Sequence, residues 1–228
     1  MRLAFVLFLN TIILFPLAAQ IFPQALFVNK QYKFVVIGTQ TWMAENLNIA
    51  TYRDGTSIGN ATTTTEWISY VNNPGAGNGA WVYPTAADGS GNFLLSNPDY
   101  GKLYNWYAIT DTRGLCPTSW HVPSRVEWRI LYNYLGGASI AGGKLKESGT
   151  AHWATGNVAT NTSGYTALPG GYMGGGASLG NAPYGYYWAS DEIASNMGYT
   201  YLMYPSSAVI DSTNMGKVGG SAVRCIHD

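Results

Sequence analysis

Apolar residues along the chain gather in short clusters between glycine, proline and small polar residues, and one cluster carries a complete helix signature. Ser124 and Glu127 stand at the Ser-x-x-Glu spacing of a capping box, directly after Pro123. Val126, Ile130, Leu131, Tyr134 and Leu135 then recur at intervals of three and four, which predicts an apolar helix face ended by Gly136-Gly137. A shorter helix is expected over residues 104–109. Residues 31–38 read as a strand closing in a turn at Gly38, and residues 39–47 continue it with bulky side chains that require burial. From residue 157 onward short strands (165–168, 186–190, 198–204 and 221–226) alternate with glycine-rich turns, and residues 170–176 form a turn or hairpin tip. Residues 53–96, rich in Thr, Asn, Gly, Ala and Pro, read as long loops anchored by Trp67, Trp81 and Tyr83. No repeat or linker divides the chain. The expected class is α+β: one loop-rich domain with a single clear helix and several short antiparallel strands.

The first residues have a different pattern. Met1-Arg2 supplies one positive charge, residues 3–15 carry none, and Pro16-Leu17-Ala18-Ala19 places small residues before Gln20. That is the order of a secretory signal, with cleavage expected after Ala19. Asn10, Thr11 and Pro16 interrupt the apolar run, which is short for a hydrocarbon core of about 30 Å. No later stretch is apolar for long enough to span a bilayer, so the mature chain is expected in the periplasm, at the cell surface or in the medium. Export changes the reading of the two cysteines. In an oxidising compartment Cys116 and Cys225 are expected to form a disulfide that pins the C-terminal segment to the centre of the domain.

Charge narrows the function classes. Lys and Arg total 12 against 12 Asp and Glu, and no basic stripe exists, which argues against a nucleic-acid partner. Only 11% of residues are charged, so solubility falls to Ser, Thr, Asn, Gly and the Tyr hydroxyls. The 8 Trp and 17 Tyr combine large apolar bodies with polar handles, suited to cores and to sugar or protein contacts.

Several phrases then point to a family. These are Thr41-Trp42-Met43-Ala44-Glu45-Asn46-Leu47, Tyr100-Gly101-Lys102-Leu103-Tyr104-Asn105-Trp106, residues 116–128, Gly142-Gly143-Lys144-Leu145-Lys146, residues 161–172, Tyr187-Trp188-Ala189-Ser190 and residues 221–225. In this order the chain resembles the Fibrobacter succinogenes major paralogous domain, a family of exported bacterial proteins. The resemblance covers the domain itself (35–228), leaving a lead-in (20–34) after the signal (1–19). It implies a C-type-lectin-like fold with a long loop excursion, distantly similar to the formylglycine-generating group through Val122-Pro123-Ser124-Arg125-Val126-Glu127-Trp128. That group works through a closely spaced cysteine pair near its C-terminus. Here only Cys225 lies there, which argues against the same oxidase chemistry. The resemblance brings no established activity.

Candidate chemistry is sparse. Calcium-dependent lectins use Glu-Pro-Asn or Gln-Pro-Asp together with Trp-Asn-Asp; neither phrase occurs, and Asn97-Pro98-Asp99 is the nearest approach. His121, His152 and His227 show no metal-ligand spacing, and His121 reads as a hydrogen-bonded residue at the core edge. No cofactor is therefore expected; calcium stays open as an alternative that no phrase in the chain supports. No Gly-x-Ser-x-Gly elbow occurs, residues 170–176 lack the Gly-Lys-Ser/Thr ending of a phosphate loop, and Asp191-Glu192 has no set partner. Residues 164–204, by contrast, are built from Tyr, Gly, Ser, Asn and Met, the palette of antibody loops. Tyr187 and Trp188 are assigned to the core. Tyr172, Asn181, Tyr184 and Tyr186 are the candidate ligand-binding residues, for a glycan or a surface protein. The competing readings are a structural envelope protein without a small-molecule ligand and, third, an enzyme acting on polysaccharide.

Overall fold

The computed structural model describes residues 26–27, 30–72, 79–84, 98–174, 177–178 and 183–228; the expected export signal lies outside them. Among the described residues the chain forms four helices, α1 (Thr64–Asn72), α2 (Trp106–Ile109), α3 (Arg125–Tyr134) and α4 (Ala138–Leu145), with short and mostly antiparallel strands. It is a mixed α and β fold. No helix among the described residues is long and apolar enough to cross a membrane.

The capping box forms as its spacing requires. Ser124 Oγ accepts the Glu127 N–H at 3.3 Å, and Glu127 Oε2 accepts the Ser124 N–H at 2.7 Å, which starts α3. Gly136 and Gly137, at φ of +104° and +101°, separate it from α4. The buried face differs from the predicted one. Leu131 and Leu135 are buried, but Val126, Ile130 and Tyr134 are 51%, 43% and 66% exposed. The indole of Trp128 decides the rotation: it stacks on Tyr201 at 4.7 Å, packs on Trp42 at 5.0 Å, and donates to the Trp188 carbonyl. Burying the largest ring outweighs burying the smaller apolar stripe.

Two helices stand where none was expected. In the region read as loops, Thr63 Oγ1 accepts the Glu66 N–H at 3.1 Å, and Glu66 Oε2 accepts from the Thr62 N–H and hydroxyl at 2.7 Å. Those caps start α1, and Trp67, fully buried, anchors it by donating to the Val218 carbonyl. The same region contributes the parallel strands Gly59–Asn60 and Ala80–Val82. Helix α4 contains Gly142 and Gly143, a residue type that generally weakens helix interiors. A Cβ on Gly142 would lie 2.2 Å from the Val209 carbonyl oxygen, so close approach of that segment requires glycine.

Three larger sheets organise the rest. Phe34–Ile37 and Gln40–Met43 form a hairpin that turns at Gly38; Ile226–His227 lies beside the hairpin's second strand, with Trp120–His121 at the far edge. A six-stranded sheet runs from Ala177–Ser178 through Met173–Gly174, Gly220–Ser221, Leu103–Asn105 and Ala80–Val82 to Gly59–Asn60. A meander joins Gly185–Ala194, Met197–Met203 and Ile210–Gly216, the last of which was not anticipated. Residues 104–109 divide between the end of a strand and the short helix α2, and residues 221–226 divide between two sheets. Residues 165–168 form no strand. Ala167 makes an isolated parallel bridge to Lys146, and around it side chains satisfy the backbone: Arg224 donates to the Tyr165 and Thr166 carbonyls, and the Tyr187 hydroxyl bonds both the N–H and the C=O of Leu168.

Arg224 and Cys225 tie these layers together. The guanidinium is fully buried and reaches four oxygens: Asn46 Oδ1 (2.8 Å), the Met43 carbonyl (3.4 Å), the Tyr165 carbonyl, and the Thr166 carbonyl (2.6 Å). Its Cζ lies 4.3 Å from the centroid of the Tyr165 ring. Cys225 is bonded to Cys116 with the two Cα atoms 5.9 Å apart, so the expected disulfide is present.

Candidate functional site

Pairing between distant segments assembles a cluster of four tyrosines. Gly171 bridges Gly185 in parallel and donates its N–H to the Tyr184 carbonyl at 2.9 Å, which brings Tyr172 beside Tyr186 with ring centroids 4.7 Å apart. Gly171 holds φ at +65°, a conformation that disfavours side chains. The meander pairs Gly185 with Met203, which places Tyr184 opposite Tyr204 at the strand ends, 5.5 Å apart and edge to face. All four residues are half-buried. Tyr172 and Tyr186 rest on a core cluster that includes Trp106, Trp188 and the disulfide.

The surroundings fix this cluster chemically. Lys146 has no exposed surface and donates to the carbonyls of Tyr204 (2.5 Å), Pro205 (2.8 Å) and Ser207 (3.0 Å), which pins the backbone at one end of it. Burial pushes that ammonium down to about 8. The Tyr204 hydroxyl is raised to about 12, first by burial and then by a hydrogen bond with Asp211. Burial also raises Tyr186, with Tyr172 and Tyr184 adding to the shift. Tyr186 and Tyr204 therefore stay neutral across the physiological range and offer hydroxyls rather than phenolates.

Three of the four sequence candidates, Tyr172, Tyr184 and Tyr186, meet here; Asn181 lies outside the described residues. Tyr187 and Trp188 are core residues as expected, both fully buried, with the Trp188 Nε1–H donating to the Tyr104 carbonyl at 2.7 Å. Tyr204 was missed. Nothing marks it in the linear sequence until its strand partner is known.

Other candidates are engaged structurally. Asp191 Oδ2 accepts the Arg125 N–H at 2.6 Å in the first turn of α3, while Glu192 pairs with Lys217. His152 Nδ1 lies 2.9 Å from both carboxylate oxygens of Glu147. No group of three His, Cys, Asp or Glu residues among the described residues is placed to hold a metal ion.

His121 sits at the core edge as expected, bridging Asp228 Oδ1 (2.6 Å, Nδ1) and Glu127 Oε1 (2.7 Å, Nε2). Burial alone would lower its pKa, but the hydrogen bonds to the two carboxylates outweigh this and raise it above 6.5. The clamp's contribution to stability is fully present below about pH 6.5 and fades as pH rises through the raised value. Glu127 is shifted oppositely: burial raises it, and the Ser124 and His121 contacts bring it net below 4.5, so its share is lost only in acid. The melting-temperature gap between the wild type and His121→Gln should therefore narrow from mildly acidic to mildly alkaline pH. A pH-independent gap would contradict the charged bridge.

The sequence matches the family model of the Fibrobacter succinogenes major domain over residues 35–227. No curated protein and no solved structure matches the chain.

Proposed function

We propose, for a chain that belongs to the Fibrobacter succinogenes major domain family, an exported binding module that holds a neutral glycan against the Tyr172, Tyr184, Tyr186 and Tyr204 cluster. The observation that carries this reading is the convergence of four half-buried rings from three segments on a frame of glycine turns. Such rings present broad apolar area with few rotatable bonds, and their hydroxyls make hydrogen bonds at the rim. Export is supported by the charged and apolar pattern of residues 1–19 and by the Cys116–Cys225 bridge. A C-type-lectin-like fold is supported by the sheet in which the early hairpin lies beside Ile226–His227, with long excursions between them.

A glycan array with the mature protein tests the reading. Binding to at least one plant or bacterial polysaccharide is expected. Tyr172→Ala and Tyr186→Ala should each weaken it about tenfold or more, in keeping with the loss of a central aromatic contact. Their melting temperatures should fall by less than that of a Tyr187→Ala variant, because both rings are half-buried at the rim while Tyr187 is fully buried. Silence across the array would instead favour a structural role in the envelope, and binding that survives both substitutions would move the site elsewhere.

A further inference from the structure

Pairing leaves the two outer edges of the three-stranded meander in different states. Along Gly185–Ala194 the outer edge is covered: Gly171 bridges Gly185, Tyr187 bridges Ala222, and the Ser190 N–H donates to the Pro123 carbonyl at 2.9 Å. Along Ile210–Gly216 it is open. That strand pairs with Met197–Met203 alone, and among the described residues no backbone hydrogen bond reaches residues 211–215 from the other side. Helix α4 packs against the start of the strand, where the Gly143 N–H donates to the Ala208 carbonyl at 3.0 Å.

An unpaired edge presents a row of N–H and C=O groups that template another strand, and proteins guard such edges with charges, proline, bulges or short length. Here the guards are few. The sequence Ile-Asp-Ser-Thr-Asn-Met-Gly includes no lysine and no proline, and its 7 residues exceed the usual strand of about 5–6. Its register with Met197–Met203 runs without a shift, whereas the pairing of Gly185–Ala194 with Met197–Met203 slips twice. The one charge, Asp211, is taken up by its hydrogen bond with the Tyr204 hydroxyl. Ser212 and Asn214 are exposed.

Residue order selects the occupant. A two-fold axis at Thr213 brings a second copy antiparallel along this edge, with Thr213 facing Thr213, Ser212 facing Asn214 and Asp211 facing Met215. No like charges meet, and the Ser–Asn and Thr–Thr pairs are of the kind that exchange hydrogen bonds. The chain balances 12 Lys and Arg with 12 Asp and Glu, so two copies approach without net repulsion.

We infer that the outer edge of Ile210–Gly216 is a self-association surface, which joins two copies into one antiparallel sheet with three strands from each. The match is isologous, as a two-fold dimer requires, because the same residues serve both sides. An edge of this length buries little area, so the dimer is a weak, concentration-dependent one. The inference is independent of the glycan reading. Pairing would nonetheless carry two tyrosine clusters at opposite ends of the shared sheet, since Tyr184 and Tyr204 lie at strand ends.

Sedimentation equilibrium of the mature protein from micromolar to millimolar concentration tests this, and a monomer–dimer equilibrium is expected. Ser212→Lys combined with Asn214→Lys sets ammonium groups opposite one another on both sides of the axis and should weaken the dimer about tenfold or more. A melting curve of that variant guards against unfolding, since the Ser212 side chain contacts Tyr201. Thr213→Cys is a second variant: mild oxidation should yield a covalent dimer, because directly opposed residues of antiparallel strands lie within disulfide reach. Tyr172→Ala should leave association unchanged, which separates this surface from the tyrosine cluster. A monomer at every concentration would overturn the inference and leave the edge to a strand of another protein. A dimer indifferent to the folded lysine variant, or a populated dimer that Thr213→Cys does not cross-link, would overturn it equally.

Discussion

Replacing Arg224 with methionine should lower the unfolding free energy by about 3–5 kcal/mol, the usual scale for removing one partner from a buried charged network. The side chain has no exposed surface, and among the described residues it bonds no carboxylate. Its charge is met by one amide oxygen and three backbone carbonyls. Methionine restores apolar volume but donates to none of them, and each buried acceptor left without a partner costs about 1–3 kcal/mol. Two of those carbonyls, at Tyr165 and Thr166, adjoin a single isolated bridge at Ala167 and have Arg224 as their partner, so this segment should lose protection first. Arg224→Lys should recover only part of the loss, because one ammonium cannot match the planar fork that reaches four oxygens. Urea denaturation of the three proteins measures this. A methionine variant within about 1 kcal/mol of the wild type would show that the network is dispensable.

Removing the disulfide, by reductant or by the Cys116→Ala and Cys225→Ala pair, should cost about 4–5 kcal/mol on the chain-entropy model for a loop of this length. The two residues are 109 positions apart, so the bridge restricts about half the chain once it unfolds. In the folded state Cys225 lies in a segment that hydrogen-bonds the early hairpin region, with the Met43 N–H on the Cys225 carbonyl at 3.0 Å and the Leu47 N–H on the Val223 carbonyl at 2.8 Å. Guanidinium titration with and without reductant gives the difference. A midpoint unmoved by reductant, with thiols confirmed free, would contradict a stabilising bridge. Because Cys225 adjoins Arg224, the two losses should not add; combining them should cost less than their sum.

Much of the architecture was visible in the linear chain wherever a local rule sets the outcome. The capping box at Ser124 is such a case, as is the hairpin in which Gly174 pairs with Ala177. The cysteine pair followed from compartment and number alone. Where two rules compete, the sequence could not say which prevails. Threonines 62–65 have low helix propensity, yet two of them cap α1. Gly142 and Gly143 break helices in general, yet here they admit the backbone of residues 208–209 against α4. The exposed stripe of α3 fits an amphipathic pattern and loses to Trp128. The candidate site shows the same division. Composition singled out the tyrosines around residue 180, but Tyr204 joins them only through the Gly185–Met203 register.

Hydroxyl-radical footprinting of the mature protein, free and saturated with a polysaccharide it binds, tests the central claim most directly. Tyr172, Tyr184, Tyr186 and Tyr204 should react when free and be protected together in the complex, while the buried Tyr187 stays unreactive in both. Saturation that leaves those four rings as reactive as before would contradict the claim.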